Sequence, residues 1–269
     1  MTDNFLKDRT ALVTGATQGI GLAIAKTLAR AGMRIAVHGL VEENQKTEIV
    51  SAIQNAGASE ANFFEADFRN PSAIEAMIEE IEQWRGIDIL VNNAGMQITS
   101  PLAEASPDIW DSIIAVNLSA AFHTMRLTMP KMAEREYGRV INIASVHGLV
   151  ASKEKAPYVA SKFGLTGLSR VAALEYAEIG SRETGGVTVN TICPGWTETT
   201  LIEPQIRARS EEFGGDRDAG IASLLSEKQP SLRTSKPEEI GELALWLCST
   251  IAHNITGISI PVDGGWTTQ

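Results

Sequence analysis

Thr10-Ala11-Leu12-Val13-Thr14-Gly15-Ala16-Thr17-Gln18-Gly19-Ile20-Gly21 is the stretch that decides the fold. A short apolar strand runs into a glycine-rich turn, after which Leu22, Ile24, Ala25, Leu28 and Ala29 keep helical periodicity until Gly32 stops it. Strand, glycine turn and helix start together make a phosphate cradle. The glycines let backbone N–H groups approach a pyrophosphate, which rests on the positive end of the helix. Glycine turns without a ligand are common, so the weight of this one comes from the pattern downstream of it.

Downstream, strand and helix alternate. Arg34–His38 reads as a second strand and about Glu42 to Asn55 as a helix. A third strand, Ala61–Ala66, ends at Asp67, a carboxylate that in a nucleotide fold can accept from an adenine amino group. Pro71 opens a helix carrying Ile74, Met77, Ile78 and Ile81. Ile87–Val91 is a fourth strand running into Asn92-Asn93-Ala94-Gly95, a turn whose glycine suits a backbone that closely approaches a ring. A long helix is expected from about Pro107 to Ala133, with Asn117 in mid-span between Val116 and Leu118; a mediocre helix former there points to a specific polar task. Arg139–Ala144 reads as a buried parallel strand ending at Ser145, and Val187–Ile192 as the sixth strand, ending in Cys193-Pro194-Gly195-Trp196.

Residues 197 to 233 are polar, carry Pro204, Gly214-Gly215 and Pro230, and show one short apolar helix signal around Ile221–Leu225; they read as a mobile substrate lid. A helix over Pro237–Cys248 and a strand over Ile258–Val262 complete the pattern. The alternation predicts an α/β fold, a doubly wound parallel sheet with helices on both faces. Nothing marks a linker, so residues 1–269 are expected to form one domain.

Tyr158 and Lys162 stand four apart, on one face of a helix. A lysine ammonium so placed favours phenolate over phenol and is expected to lower the tyrosine pKa from about 10, making a usable base. Ser145, at the carboxyl end of a buried strand, opens into the crevice where α/β sheets bind ligands. Taken alone, Tyr-x-x-x-Lys is an ordinary surface pair; the ordered company of the other motifs gives it weight.

A net charge of −10, with lysines and arginines scattered, argues against nucleic acid or an anionic membrane as partner. Hydrophobic content of 43% is enough for a sizeable core, yet no apolar run approaches the ~20 residues of a membrane span. Cys193 and Cys248 match no metal spacing and sit among apolar neighbours, as buried reduced thiols of a cytoplasmic protein would. No metal is implied, and Met1–Arg9 has no apolar signal core.

Thr14-Gly15-x-x-x-Gly19-Ile20-Gly21, Asn92-Asn93-Ala94-Gly95, Asn117, Ser145, Tyr158-x-x-x-Lys162 and Pro194-Gly195, in this order, resemble the short-chain dehydrogenase/reductase superfamily. The resemblance spans nearly the whole chain. It implies a seven-stranded Rossmann sheet, a nicotinamide cofactor and a catalytic tetrad of Asn117, Ser145, Tyr158 and Lys162. It further implies that the cofactor lies on Gly15, Thr17, Gln18, Gly19, Ile20 and Gly21. Leu40, Asp67 and Phe68 would meet its adenosine end; Asn93, Ala94, Gly95, Tyr158, Lys162, Pro194, Gly195, Trp196 and Thr199 would meet the rest. The second strand ends His38-Gly39-Leu40 with no arginine for a 2′-phosphate, and Gln18 fills the loop position where phosphate-preferring relatives often carry a base; NAD is therefore expected over NADP.

A narrower likeness is to the 3-hydroxybutyrate dehydrogenase branch of that superfamily. Gln97, the run Ala144 to Ser152, Lys155, Ile192 to Trp196, Gln205, Leu224 to Ser231 and the ending Val262-Asp263-Gly264-Gly265-Trp266 carry it. It implies a substrate pocket lined by Gln97, His147, Lys155, Trp196, Gln205 and Trp266, beside Ser145 and Tyr158, for a small 3-hydroxy acid. Gln97, His147, Lys155 and Gln205 are donors suited to a carboxylate, with His147 a potential imidazolium. Trp266 is expected to pack on the pocket rather than fray with the chain end. Another hydroxy acid, a sugar or a 3-oxoacyl thioester is the alternative substrate. A silent nucleotide-binding sensor would lack tetrad members, and this chain keeps all four. The family implies a homotetramer with long helices packed across an interface, and Gly164 and Gly167 would permit close approach unless they pack internally.

Overall fold

The computed structural model describes residues 5–200 and 202–268; Met1–Asn4 of the N-terminal reading lie outside the described residues. Seven strands form one sheet in the order β3-β2-β1-β4-β5-β6-β7, and every pairing is parallel. They are β1 Thr10–Val13, β2 Arg34–His38, β3 Glu60–Phe64, β4 Ile89–Asn92, β5 Tyr137–Ile143, β6 Gly186–Pro194 and β7 Ser259–Val262. The order reverses direction between β1 and β4, and that switch point opens a crevice above their carboxyl ends.

Side chains alternate across the sheet and so supply two cores. Ala11, Val13, Ile35, Val37, Ile89 and Val91 point to one face, under α1 (Gly19–Arg30), α2 (Glu43–Asn55) and a later helix over Pro237–Cys248. Leu12, Ala36, Leu90, Val140 and Val189 point to the other, under α3 (Pro71–Trp84) and two further helices. The amphipathic spacing of Ile74, Met77, Ile78 and Ile81 buries all four side chains, which is what holds α3 to the sheet.

The expected long helix is two, α4 (Pro107–Ile114) and α5 (Ala120–Glu134), joined without a break by a π-helical turn at Ala115–Ser119. Asn117 lies in that wide turn. The tyrosine helix α6 spans Ala156–Tyr176. The 197–233 stretch holds two helices where the sequence signals one: α7 (Glu203–Glu212) and α8 (Arg217–Ser226), with α9 (Pro237–Cys248) after them. The first of the two gives no sequence signal because Glu203–Glu212 carries almost no apolar periodicity; only Ile206 and Ser210 are buried in it. Among the described residues no helix is long and apolar enough to cross a membrane.

Candidate active site

The glycine turn is shaped by what it touches. Gly15 has φ +60°, and a Cβ there would stand 2.8 Å from the Ala94 Cα, so the turns after β1 and β4 meet backbone to backbone. At Gly21 a Cβ would lie 2.4 Å from Asn93 Nδ2, so the helix start packs directly on the asparagine turn. Thr14 ties the two turns together: its Oγ1 accepts from the N–H groups of Asn93 and Ala94, both at 3.0 Å. Asn93 returns the bond, donating from Nδ2 to the carbonyls of Thr14 and Gly15 at 2.9 and 3.0 Å.

The next layer holds the reacting groups. The π-helical turn at Asn117 directs its side chain inward, where it is 2% exposed, so a solvated asparagine is excluded. Its Oδ1 accepts from Met96 N–H at 2.8 Å, and its Nδ2 donates to Met96 O at 3.0 Å and Ser161 Oγ at 3.2 Å. Ser161 in turn donates to the Tyr158 carbonyl at 2.7 Å. Lys162 Nζ donates to Ile143 O at 2.9 Å and stands 5.7 Å from the Tyr158 ring centroid. Asn117, Ser145, Tyr158 and Lys162 are thus all buried and within one cluster.

Two expectations about charge need correction. Burial pushes the Tyr158 phenol up rather than down, and what opposes it is a hydrogen bond from Ser145, not the lysine. The cost of burial falls on Lys162 as well, whose pKa drops to about 8. His147 is not an imidazolium: burial first, then the nearby charges of Lys155 and Lys228, bring it to about 3. Both its ring nitrogens are engaged, Nδ1 with Ser145 Oγ at 3.3 Å and Nε2 with Ser152 Oγ at 2.9 Å.

One cleft of about 520 Å³ brings Ser145, Tyr158 and Lys162 together with Gly15, Thr17, Gln18, Gly19, Ile20, Asn93, Ala94 and Gly95 at one end. Gln97, His147, Lys155, Trp196, Gln205 and Trp266 line the other end, and Pro194, Gly195 and Thr199 the wall between. Asn117, buried behind it, and Gly21, Leu40, Asp67 and Phe68 do not line it. Gly21 packs on Asn93, Leu40 is exposed, Asp67 is paired with Arg69, and Phe68 is buried in a stack on His38 with centroids 3.9 Å apart. Trp266 is 9% exposed, stacked near Trp196 at 6.2 Å and edge-on to His147 at 5.6 Å. Asp263 ties down the turn before it, accepting from the N–H groups of Gly265 and Thr267 at 3.0 and 2.8 Å.

The residues fit a dinucleotide. The glycine cradle and the asparagine turn form one end of the cleft, and the indole Nε1–H of Trp196 is buried with no partner among the described residues. Electrostatically the cleft is one-sided: Lys155 and Lys162 line it, and among the described residues no Asp or Glu does. No cluster of three or more metal-ligating side chains occurs among the described residues.

The site also uses residues that sequence reasoning does not single out. Ser152, Ser161 and Gln229 lie inside or between the motifs, but a hydroxyl or amide whose partner is distant in the chain or set by the local fold leaves no spacing signal. Gln229 is 1% exposed, and its Oε1 accepts from Trp196 N–H at 3.2 Å.

A family profile described as short chain dehydrogenase matches residues 9–210. Over 98% of its length the chain is 44% identical to the whole of a D-beta-hydroxybutyrate dehydrogenase from Cupriavidus necator. Over 97% of its length it is 42% identical to another from Rhizobium meliloti, of which 99% is covered. Among solved structures, L-sorbose reductase from Gluconobacter frateurii, complexed with NADPH and L-sorbose, superposes with a TM-score of 0.89 at 27% identity and 98% coverage of both chains. Actinorhodin polyketide ketoreductase with NADPH superposes with a TM-score of 0.87 at 31% identity over the full length of both. With these likenesses covering the motifs, the sheet order and the cleft, the chain belongs to the short-chain dehydrogenase/reductase family of oxidoreductases.

Proposed function

We propose that this chain is an NAD-dependent oxidoreductase that interconverts (R)-3-hydroxybutyrate and acetoacetate. The observation that carries the reading is the charge of the cleft. In a protein of net charge −10, the cleft is lined by Lys155 and, among the described residues, by no Asp or Glu. A cation held against the cost of burial, which lowers its pKa, is suited to a small anionic substrate. Gln97 and Gln205, lining the same end, add neutral donors that fix a carboxylate without adding charge. The names of the relatives from Cupriavidus necator and Rhizobium meliloti point the same way.

The nicotinamide, when bound, supplies the acceptor of the C3 hydride. The chain's own groups handle the oxygen. Ser145 holds it by hydrogen bonding, and Tyr158 takes its proton in oxidation or returns it in reduction. Because burial raises the Tyr158 pKa, oxidation should gain with rising pH as the phenolate fraction grows, whereas reduction uses the phenol that predominates at neutral pH. Lys162 adds positive charge close to Tyr158, and Asn117 fixes Met96 and Ser161 around it. Trp196 and Trp266 close the substrate end and exclude water, and residues 197–233 act as the lid.

Preference for NAD is supported by a second strand that ends His38-Gly39-Leu40 without an arginine. A cytoplasmic setting is supported by two buried thiols whose pKa values burial raises to about 11 and about 12. Homotetramer assembly is supported by an apolar stripe on α6, where Phe163, Val171 and Leu174 are exposed and a Cβ at Gly167 would meet nothing. Gly164, by contrast, packs internally against Leu118.

The test is cofactor reduction with D- and L-3-hydroxybutyrate, NAD and NADP, in wild type and Lys155→Ala. The expected result is activity with the D enantiomer and NAD, and a loss of kcat/KM of roughly 30-fold or more in the variant, from ~2–5 kcal/mol of charged hydrogen bonding. Reduction of a neutral ketone should be nearly unchanged by the substitution. Equal losses on charged and neutral substrates, or preference for a sugar or a 3-oxoacyl thioester, would replace the hydroxy-acid reading by its alternative.

A further inference from the structure

Lys228 lies just after α8, 76 residues along the chain from Ser152, yet the two side chains meet beside the cleft. Its Nζ donates to Ser152 Oγ at 2.9 Å and stands 5.4 Å from the Trp266 ring centroid. Ser152 Oγ is also 2.9 Å from His147 Nε2, and His147 Nδ1 is 3.3 Å from Ser145 Oγ. Four side chains therefore form a continuous chain of hydrogen bonds from the segment after α8 to the serine beside Tyr158.

The chemistry of the groups fixes its direction. An ammonium only donates, so Ser152 Oγ accepts from Lys228, and its own proton is free to point at His147 Nε2. Ser145 has a single proton, which it gives to the Tyr158 oxygen, so the one ring proton of the neutral imidazole sits on Nδ1 and points at Ser145 Oγ, and Nε2 accepts from Ser152. Ser145 Oγ already accepts the His147 backbone N–H at 3.1 Å. Both acceptor positions of Ser145 are then filled, and its O–H stays on the Tyr158 oxygen, where a substrate oxygen would also meet it.

We infer that Lys228 is a positioning residue that, through Ser152 and His147, locks Ser145 as a hydrogen-bond donor at the reacting oxygen. No group in the chain changes protonation; Lys228 supplies orientation and the polarisation that a charged terminus passes along linked hydrogen bonds. This rests on the reading of Tyr158 as the base under Proposed function. The charged and titratable groups facing the chain are Lys155 and Lys228 toward His147, and Lys162 and Cys193 toward Tyr158. Donation from Ser145 favours the phenolate, so loss of the orienting lysine should raise the Tyr158 pKa further.

The experiment compares wild type with Lys228→Met, Lys228→Arg, Ser152→Ala and the Lys228→Met/Ser152→Ala double variant. Two readouts are taken: the pH profile of kcat/KM, and tyrosinate absorbance of the protein alone against a Tyr158→Phe reference. Lys228→Met should lower kcat about tenfold and move the rising limb and the Tyr158 titration to higher pH by about one unit, since one unit is tenfold in the ionisation equilibrium. Lys228→Arg, which keeps a donor-only cation, should restore both. Ser152→Ala should reproduce the shift, and the double variant should be no worse than either single one because all break the same chain. If Lys228→Met does not fold, Ser152→Ala carries the test alone. An unmoved titration in Ser152→Ala, or a rise in KM for charged substrates only in Lys228→Met, would overturn the inference and make Lys228 a direct carboxylate contact or a structural residue. Full activity in Tyr158→Phe would instead overturn the reading on which it rests.

Discussion

On the strand side of the cleft, Asn92 donates from Nδ2 to Asn142 Oδ1 at 2.8 Å, Asn142 donates to Ser169 Oγ at 2.8 Å, and Thr124 donates to Asn92 Oδ1 at 2.7 Å. All four side chains are buried, in a ladder that runs from α5 through β4 and β5 to α6. On the opposite side, α7 and α8 are joined by exposed or half-exposed ions: Arg209 to Glu227 at 2.5 Å and Arg217 to Glu203 at 2.5 Å. The first wall is held by bonds whose loss strands polar groups away from water. The second adds to the close packing of Gly220 on Ser210 charges that water and salt replace at little cost. A hydride-transfer site needs both, a frame that fixes the reacting atoms and a cover that can move to admit substrate.

That contrast makes quantitative predictions. Asn92→Ala removes a partner from both Asn142 and Thr124, each buried, and should cost roughly 4 kcal/mol of unfolding free energy in urea titration. A cost under about 1 kcal/mol would mean that the ladder does not hold the frame.

His38 sharpens the comparison in a second way. Its Nδ1 accepts from Gly15 N–H at 3.2 Å and its Nε2 pairs with Ala66 O at 3.0 Å, so the ring bridges the glycine turn and the chain after β3 in one neutral tautomer. Burial depresses its pKa from 6.5 to about 4. A depressed histidine pKa means that the unfolded chain binds the proton more readily. The associated stability, about 3 kcal/mol, is therefore present above pH 6.5 and lost as pH falls toward 4. His38→Gln should flatten that acid limb in unfolding measured from pH 7 to pH 4; an identical limb in both proteins would assign it to carboxylates instead.

The smallest effect belongs to the cover. Arg209→Ala should change global stability by less than about 1 kcal/mol, with the difference shrinking further in high salt. A loss matching that of Asn92→Ala would erase the distinction between the two walls.

The same contrast explains what the sequence discloses. Strand-and-helix alternation is legible because each buried element repeats its apolar side chains with a fixed period, and β2 and α9 fall at their expected bounds. Helix α7 has no such period and leaves no trace in the pattern. Asn117 stands out as an odd residue inside a helix, but the π-helical turn that aims it does not, since that depends on Met96 twenty-one residues earlier in the chain. Arg139, which reads as the start of an apolar run, is 1% exposed with its guanidinium donating to the carbonyls of Gly138 and Gly186. The direction of the Tyr158 shift is misread from sequence because four-residue spacing shows a neighbouring lysine but not the burial that outweighs it. Ser152 and Lys228 meet across 76 residues, a distance no local pattern spans.

The central claim is that Tyr158, donated to by Ser145 and placed beside Lys162, is the group that exchanges the substrate proton. The most direct measurement is turnover of (R)-3-hydroxybutyrate by Tyr158→Phe, with cofactor binding followed separately by fluorescence titration. The phenyl ring keeps the packing and removes the one oxygen the chemistry needs. The account predicts unchanged cofactor affinity and a fall in kcat of about a thousandfold, within the range expected for loss of a general base. Turnover within tenfold of wild type would contradict it.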